Sequence, residues 1–240
     1  MAPYVKYLEA AYRDWCKTQH YGVPKGREKS FSWLSSVDAM RSRRCPEPAV
    51  LYALERPQAG TMEEPINHSR GPNGLARCVP IGLFFHPSET PLPEISLLGA
   101  ESAALTYGDP LGFLPAAYLT NLLSRILYGE PDSFRSILHK TRENMIRQFS
   151  NRFSQIRAIE TLLDWAEHTA EAPTSPAEAL SRQRPTDAAA ILAGACYLCL
   201  KFPGDYDRAI VAAVNHSGLS SALGAVTGAL LGAQVGTEGI

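Results

Sequence analysis

The sequence predicts an all-α fold, and three observations carry that prediction. Apolar residues recur at i, i+3 and i+4 along most of the chain. No stretch sustains the alternation of a half-buried strand. Clusters of Pro and Gly cut the chain into segments of helical length.

The elements follow in order. Tyr4, Tyr7, Leu8, Ala11, Tyr12 and Trp15 share one face of a first amphipathic helix. Ser30 or Ser32 is placed to cap a second helix through Trp33, Leu34, Val37 and Met40. The stretch Pro46–Pro57 predicts a short third, with Val50, Leu51 and Leu54 on one side. Residues 57–74 carry Pro57, Gly60, Pro65, Gly71, Pro72 and Gly74 and read as a loop. Helices are then expected over Leu75–Phe85, Glu94–Thr106 and Leu111–Tyr128, with Pro131 at the start of another. Phe153, Ile156, Ile159, Leu163 and Ala166 mark a long amphipathic helix ending near His168. Residues 171–186, rich in Pro, Thr, Ser and Ala, read as a surface loop. Thr186 or Asp187 caps an Ala-rich helix to Leu200, and Asp205 caps one to Val214. The last helix starts at the Ser217-Gly218 turn, with Ser217 as its cap. The composition shift at 171–186 is too slight for a boundary, so residues 1–240 are taken as one domain.

Composition excludes several classes. With 45% hydrophobic and 20% charged residues, 240 residues suffice for a core without staples. A net charge of −1 gives no general field to draw in nucleic acid or anionic lipid, so neither is an expected partner. MAPYVKYLEA has no apolar signal-peptide core. Five irregularly spaced cysteines argue against a disulfide framework and for a reducing cytoplasm. Cys196-Tyr-Leu-Cys199 lies in an apolar helical run without a second CxxC or a nearby His, which favours core packing. Ser217–Thr237 is uncharged, with Gly224, Gly228 and Gly232 four apart, but is too rich in Gly, Ser and Thr for a membrane span. A buried helix with a glycine edge for another helix is expected instead. The basic groups Arg41, Arg43 and Arg44, and Arg135, His139, Lys140, Arg142, Arg147, Arg152 and Arg157, read mainly as solvated helix faces.

Three loops carry polar residues into helices. In Asn67-His-Ser69-Arg70-Gly71-Pro-Asn73-Gly74-Leu75-Ala-Arg77, a Gly-rich turn opens a helix, which suits an anion, with Arg70 or Arg77 to pair with phosphate. Thr106-Tyr107-Gly108-Asp109-Pro110 reads on its own as a turn. Asn215-His216-Ser217-Gly218-Leu219-Ser220-Ser221-Ala222 reads as a helix start.

Together these loops resemble the ADP-ribosylglycohydrolase (DraG-like) family. The first follows N-x-S-x-G-x-G-G-x-M-R-x-x-P, ending at Arg77 and Pro80. The second echoes T-H-x-x-P. The third stands where the family has A-x-N-x-G-G-D-x-D-[ST] before a G-x-x-x-G-A helix, here Gly228 to Ala233. The resemblance runs from about Tyr7 to Gly236 and implies a compact orthogonal multi-helix bundle that hydrolyses ADP-ribosyl bonds with two magnesium ions.

The departures change that expectation. Leu219 and Ser221 occupy the positions of the family's metal-binding aspartates, and Ala222 that of the following Ser/Thr. Magnesium wants hard oxygen ligands in an octahedral array, and leucine offers none. The family's T-D-D motif lies upstream of the helix matched here by Tyr4–Gln19. Tyr107 stands for the usual His, and Leu75 where a glycine would let backbone approach phosphate. No metal and no cofactor is therefore expected. Asn67, Ser69, Gly71, Asn73, Gly74, Arg77, Thr106, Tyr107, Asn215, Ser217, Gly218, Ser220 and Ser221 are the ligand-binding candidates, with Asp109 and His216 as candidate acid or base. The leading expectation is a pseudoenzyme that binds a nucleotide-like small molecule or a protein partner. A repurposed metal-independent enzyme is the alternative, and a subunit completed by a second chain, or a homo-oligomer, is the third.

Overall fold

The computed structural model describes residues 2–19 and 30–240. Among them every regular element is helical: α1 (Ala2–Thr18), α2 (Pro48–Leu54), α3 (Asn73–Ala76), α4 (Val79–Phe84), α5 (Leu92–Ala104), α6 (Pro110–Tyr128), α7 (Phe134–Phe149), α8 (Ile156–Glu171), α9 (Pro176–Gln183), α10 (Ala188–Lys201), α11 (Tyr206–Val214) and α12 (Ser220–Val235), with short 3-10 turns. The all-α expectation holds.

Two helices form the centre. In α6 every residue from Gly112 to Ser124 is buried, and in α10 every residue from Ala188 to Cys199. A helix apolar on all sides must be wrapped by others. Helices α3, α4, α5, α7, α8, α10 and α12 pack on α6, while α8, α9, α11 and α12 pack on α10. Close approach of α5 to α6 depends on Gly99, where a Cβ would lie 2.6 Å from Thr120 Oγ1 and 2.7 Å from the Ala116 carbonyl. One polar network ties the core helices together. Asn121 donates to Ser96 Oγ at 2.9 Å and accepts from Thr141 at 3.0 Å and Arg125 at 2.8 Å, tying α5, α6 and α7.

The expected glycine edge of α12 is present. Beta carbons at Gly224 and Gly228 would meet Val214 Cγ1 at 3.0 Å and Ile210 Cδ1 at 3.4 Å, so α11 runs along this face. Among the described residues no helix is long and apolar enough to cross a membrane. Cys196 and Cys199 are fully buried and unpaired in the core. Burial pushes the Cys196 thiol up to about 12 and raises Cys199 as well.

Five local expectations are corrected. Residues 33–40 form two 3-10 turns with nothing buried, because Trp33 and Leu34 face outward and Ser32 makes no side-chain cap. The expected helix 75–85 is two helices, α3 and α4, with Pro80 in the first turn of α4, where its missing N–H is harmless. Pro131 precedes α7 rather than starting it; Ser133 caps that helix by accepting from Ser136 N at 3.2 Å. The loop at 171–186 contains α9, capped by Ser175 and anchored by buried Ala179 and Leu180. Ser217 does not cap α12; Leu219 stands at that position without a side-chain bond.

Much of the basic stretch is spent internally. Arg142, largely buried, bonds Glu160 at 2.6 Å, Asp164 at 2.5 Å and Glu167 at 2.7 Å, joining α7 to α8. Arg135 and His139 add to the Glu167 end, and Lys140 pairs with Asp132.

The substitution Gly99→Ala is expected to push α5 off α6 and to lower unfolding free energy by about 1–3 kcal/mol, the usual cost of overpacking, read as an earlier midpoint in urea.

Candidate functional site

The first two candidate loops are locked together by one side chain. Asn67 Oδ1 accepts from Ser69 N at 2.9 Å and Gly108 N at 3.0 Å, while its Nδ2 donates to the Thr106 carbonyl at 2.9 Å. The approach is so close that a Cβ on Gly108 would lie 2.0 Å from the Asn67 carbonyl oxygen, which explains the glycine. Asp109 is committed to structure on both oxygens. Oδ1 accepts from Leu111 N at 2.9 Å, capping α6, and Oδ2 pairs with Arg70 Nε at 2.8 Å.

Tyr107 closes the Gly-rich turn. Its ring is fully buried, and beta carbons built on Gly71 and Gly74 would meet it at 2.4 Å and 2.6 Å. These glycines make room for the ring. The Tyr107 hydroxyl donates to Glu47 Oε2 at 2.5 Å, and Asn73 Nδ2 donates to the same oxygen at 2.9 Å. Burial, and then the Glu47 carboxylate, push the Tyr107 hydroxyl well above the ordinary tyrosine range, so it stays a donor. Arg77 donates to Thr106 Oγ1 and lies 4.4 Å above the Tyr12 ring and 5.7 Å above the Tyr107 ring. The Gly71 N–H turns inward to Ser69 Oγ at 3.4 Å. Helix α3 has only four residues, so it adds little dipole to favour an anion. Leu75 is fully buried in the core and does not face the turn.

The third loop reaches the first through Pro185–Ala188. Leu219 N donates to the Pro185 carbonyl and Ala188 N to the Arg70 carbonyl, both at 2.9 Å. Asp187, the nearest carboxylate in this bridge, caps α10 by accepting from Ala190 N at 2.9 Å. Asn215, Ser217, Leu219 and Ser221 are exposed, while His216, Gly218 and Ser220 are half-buried. Asn215 donates to the Val211 carbonyl at 2.7 Å. Among the described residues no base contacts Ser217, Ser220 or Ser221, and no three His, Cys, Asp or Glu side chains gather where a metal would bind. The donors at Leu219 and Ser221, an alkyl chain and a neutral hydroxyl, do not fit the magnesium pair that the resemblance implies.

Besides the 215–221 turn, the described residues enclose a cavity of about 680 Å³ between α1, the turns after it, α2 and α3. Its walls are mostly apolar, from Trp15, Leu34, Met40, Val50 and Leu54, and Glu47, Asn73 and Arg77 form a polar end. Of the ligand-binding candidates, only Asn73 and Arg77 line it. Sequence reasoning missed Glu47 and Tyr12. Glu47 sits between two prolines and reads only as the start of α2; nothing local aims it at a tyrosine 60 positions on.

His216 accepts from Gly218 N at its Nδ1, 2.8 Å away, so its proton sits on Nε2, which is buried without a hydrogen-bond partner. Burial lowers its pKa below the ordinary 6.5 and outweighs the nearby Ala213 carbonyl. The unfolded state therefore binds the proton more readily. The stability this neutral ring provides is complete above about pH 6.5 and is lost as pH falls below it. Urea midpoints at pH 7.5 and 5.5 are expected to differ less in His216→Asn than in the unsubstituted protein.

A model of the ADP-ribosylglycohydrolase family matches residues 3–240. No curated protein and no solved structure matches. The match spans all three loops and every helix from α3 to α12, and by it the chain belongs to the ADP-ribosylglycohydrolase family.

Proposed function

We propose that this member of the ADP-ribosylglycohydrolase family is a pseudoenzyme: a hydrolase scaffold kept as a cytoplasmic binding protein, without the two-magnesium reaction. The observation that carries this reading is the C-terminal turn, where an exposed leucine and a serine stand at the metal-ligand positions. Without hard anionic donors, neither Lewis-acid activation nor a metal-activated water can be organised there. The Tyr107 ring adds support, because it packs against Gly71 and Gly74 and closes the Gly-rich turn. Five cysteines without disulfides suit a reducing compartment. The repurposed-enzyme reading draws less support: both Asp109 oxygens are engaged, and His216 offers no free acceptor nitrogen.

Calorimetric titration with ADP-ribose, with and without magnesium, tests this directly. The same affinity in both buffers, or no binding, together with no release of ADP-ribose from an ADP-ribosylated protein, is expected. Affinity that rises at least tenfold with magnesium would overturn it.

A second reading, a subunit completed by another chain, draws on an aromatic face. Phe84 stacks edge-on to Phe85 and Phe85 to Tyr4, each at 5.0 Å, and Tyr7 lies parallel to Phe31 at 5.7 Å. Phe84, Phe31 and Trp33 are 76%, 60% and 75% exposed. Apolar surface of this kind marks an interface. Light scattering on the purified chain is expected to show a species larger than 26.2 kDa that Tyr7→Ser with Trp33→Ser converts to monomer. A monomeric starting protein would remove self-association as the form of this reading.

A further inference from the structure

Glu47 and Arg77 border the same cavity as opposite charges, and neither forms an ion pair among the described residues. Glu47 Oε2 takes the Tyr107 hydroxyl and the Asn73 amide, while no hydrogen bond reaches Oε1. Arg77 gives one nitrogen to Thr106, its Nε has no acceptor, and aromatic rings rather than a carboxylate hold its charge. Asp14 is taken by Lys17 at 3.2 Å and Ser32 N at 2.7 Å, and exposed Arg44 donates to the Ala39 carbonyl at 3.2 Å.

Unpaired charges facing an apolar cavity are costly unless something enters to pair with them. Glu47 and Arg77 line the cavity without bonding each other, so an occupant can offer each its own group. A molecule carrying both a cationic donor and an anionic acceptor answers both charges. The walls of Trp15, Val50 and Leu54 require the body between them to be apolar, and 680 Å³ is the size of a small-molecule site. We propose that this cavity binds a small zwitterion with an apolar body, its ammonium on Glu47 and its carboxylate on Arg77, for which a hydrophobic dipeptide is the simplest form. A carboxylate gains a charge-assisted bond from the guanidinium, and an ammonium gains one from the Glu47 carboxylate.

Leucyl-phenylalanine, its N-acetyl form and its C-terminal amide are titrated into the full chain, with calorimetry and tryptophan fluorescence as readouts. The free dipeptide is expected to bind and to change Trp15 emission, and each blocked form to bind at least tenfold more weakly. In Glu47→Gln the penalty for N-acetylation disappears while that for amidation stays; in Arg77→Gln the reverse holds. Leu34→Trp, at the exposed rim, narrows the cavity without touching either charge and is expected to weaken the dipeptide at least tenfold, which keeps the test alive if Arg77→Gln does not fold. No binding of the free dipeptide, equal binding of all three forms, or unchanged discrimination in the variants would overturn the proposal. Turnover of ADP-ribose would sink the pseudoenzyme reading alone, and failure of the dipeptide would sink this one alone.

Discussion

The burial of α6 on every side is the constraint from which the rest of the molecule follows. A helix with no wet face from Gly112 to Ser124 must be enclosed, and each neighbour must come close enough to exclude water. Small residues at the contacts permit this: Gly99 from α5, and Gly82 from α4, where a Cβ would lie 2.8 Å from Leu123 Cβ. The second buried helix, α10, begins beside the same loops. Its first residue bonds Arg70, while α6 begins at Asp109, the ion-pair partner of Arg70. The candidate loops therefore lie where both central helices start, and the carboxylates found there, Asp109 and Asp187, are helix caps.

That placement explains how the loops keep their shape without an ion. The interactions holding the loops are internal: Asn67 to two backbone groups of the next loop, Tyr107 to Glu47, Arg77 to Thr106. None of them needs an ion. Leu219 and Ser221 lie in an exposed turn, and the fold beneath them is kept by α12 packing on α11 and α10.

Most of the fold was legible in the sequence because amphipathic period and capping residues act locally. Asp187 and Asp205 cap where their position before an apolar run says they should. The errors arose where local signals compete. At 33–40 the apolar residues have helical spacing but no core to face, so they remain 3-10 turns. At 171–186 the Pro, Ser and Ala content that suggested a loop supplies an N-cap, a first-turn proline and a short buried face. In the site, the motif loops and the missing carboxylates were readable directly. The filling of the Gly-rich turn by Tyr107 was not, because it depends on Glu47 from a distant segment, and long-range pairing leaves no periodic trace.

The cysteines give the molecule a built-in reporter. Four are buried with raised thiol pKa values, and Cys45 alone is exposed, on the wall of the 680 Å³ cavity. Thiolate chemistry follows access, so a maleimide dye added to the native chain attaches at that one address. Occupancy of the chamber beside it then becomes visible as a change in the dye's emission, with no residue replaced.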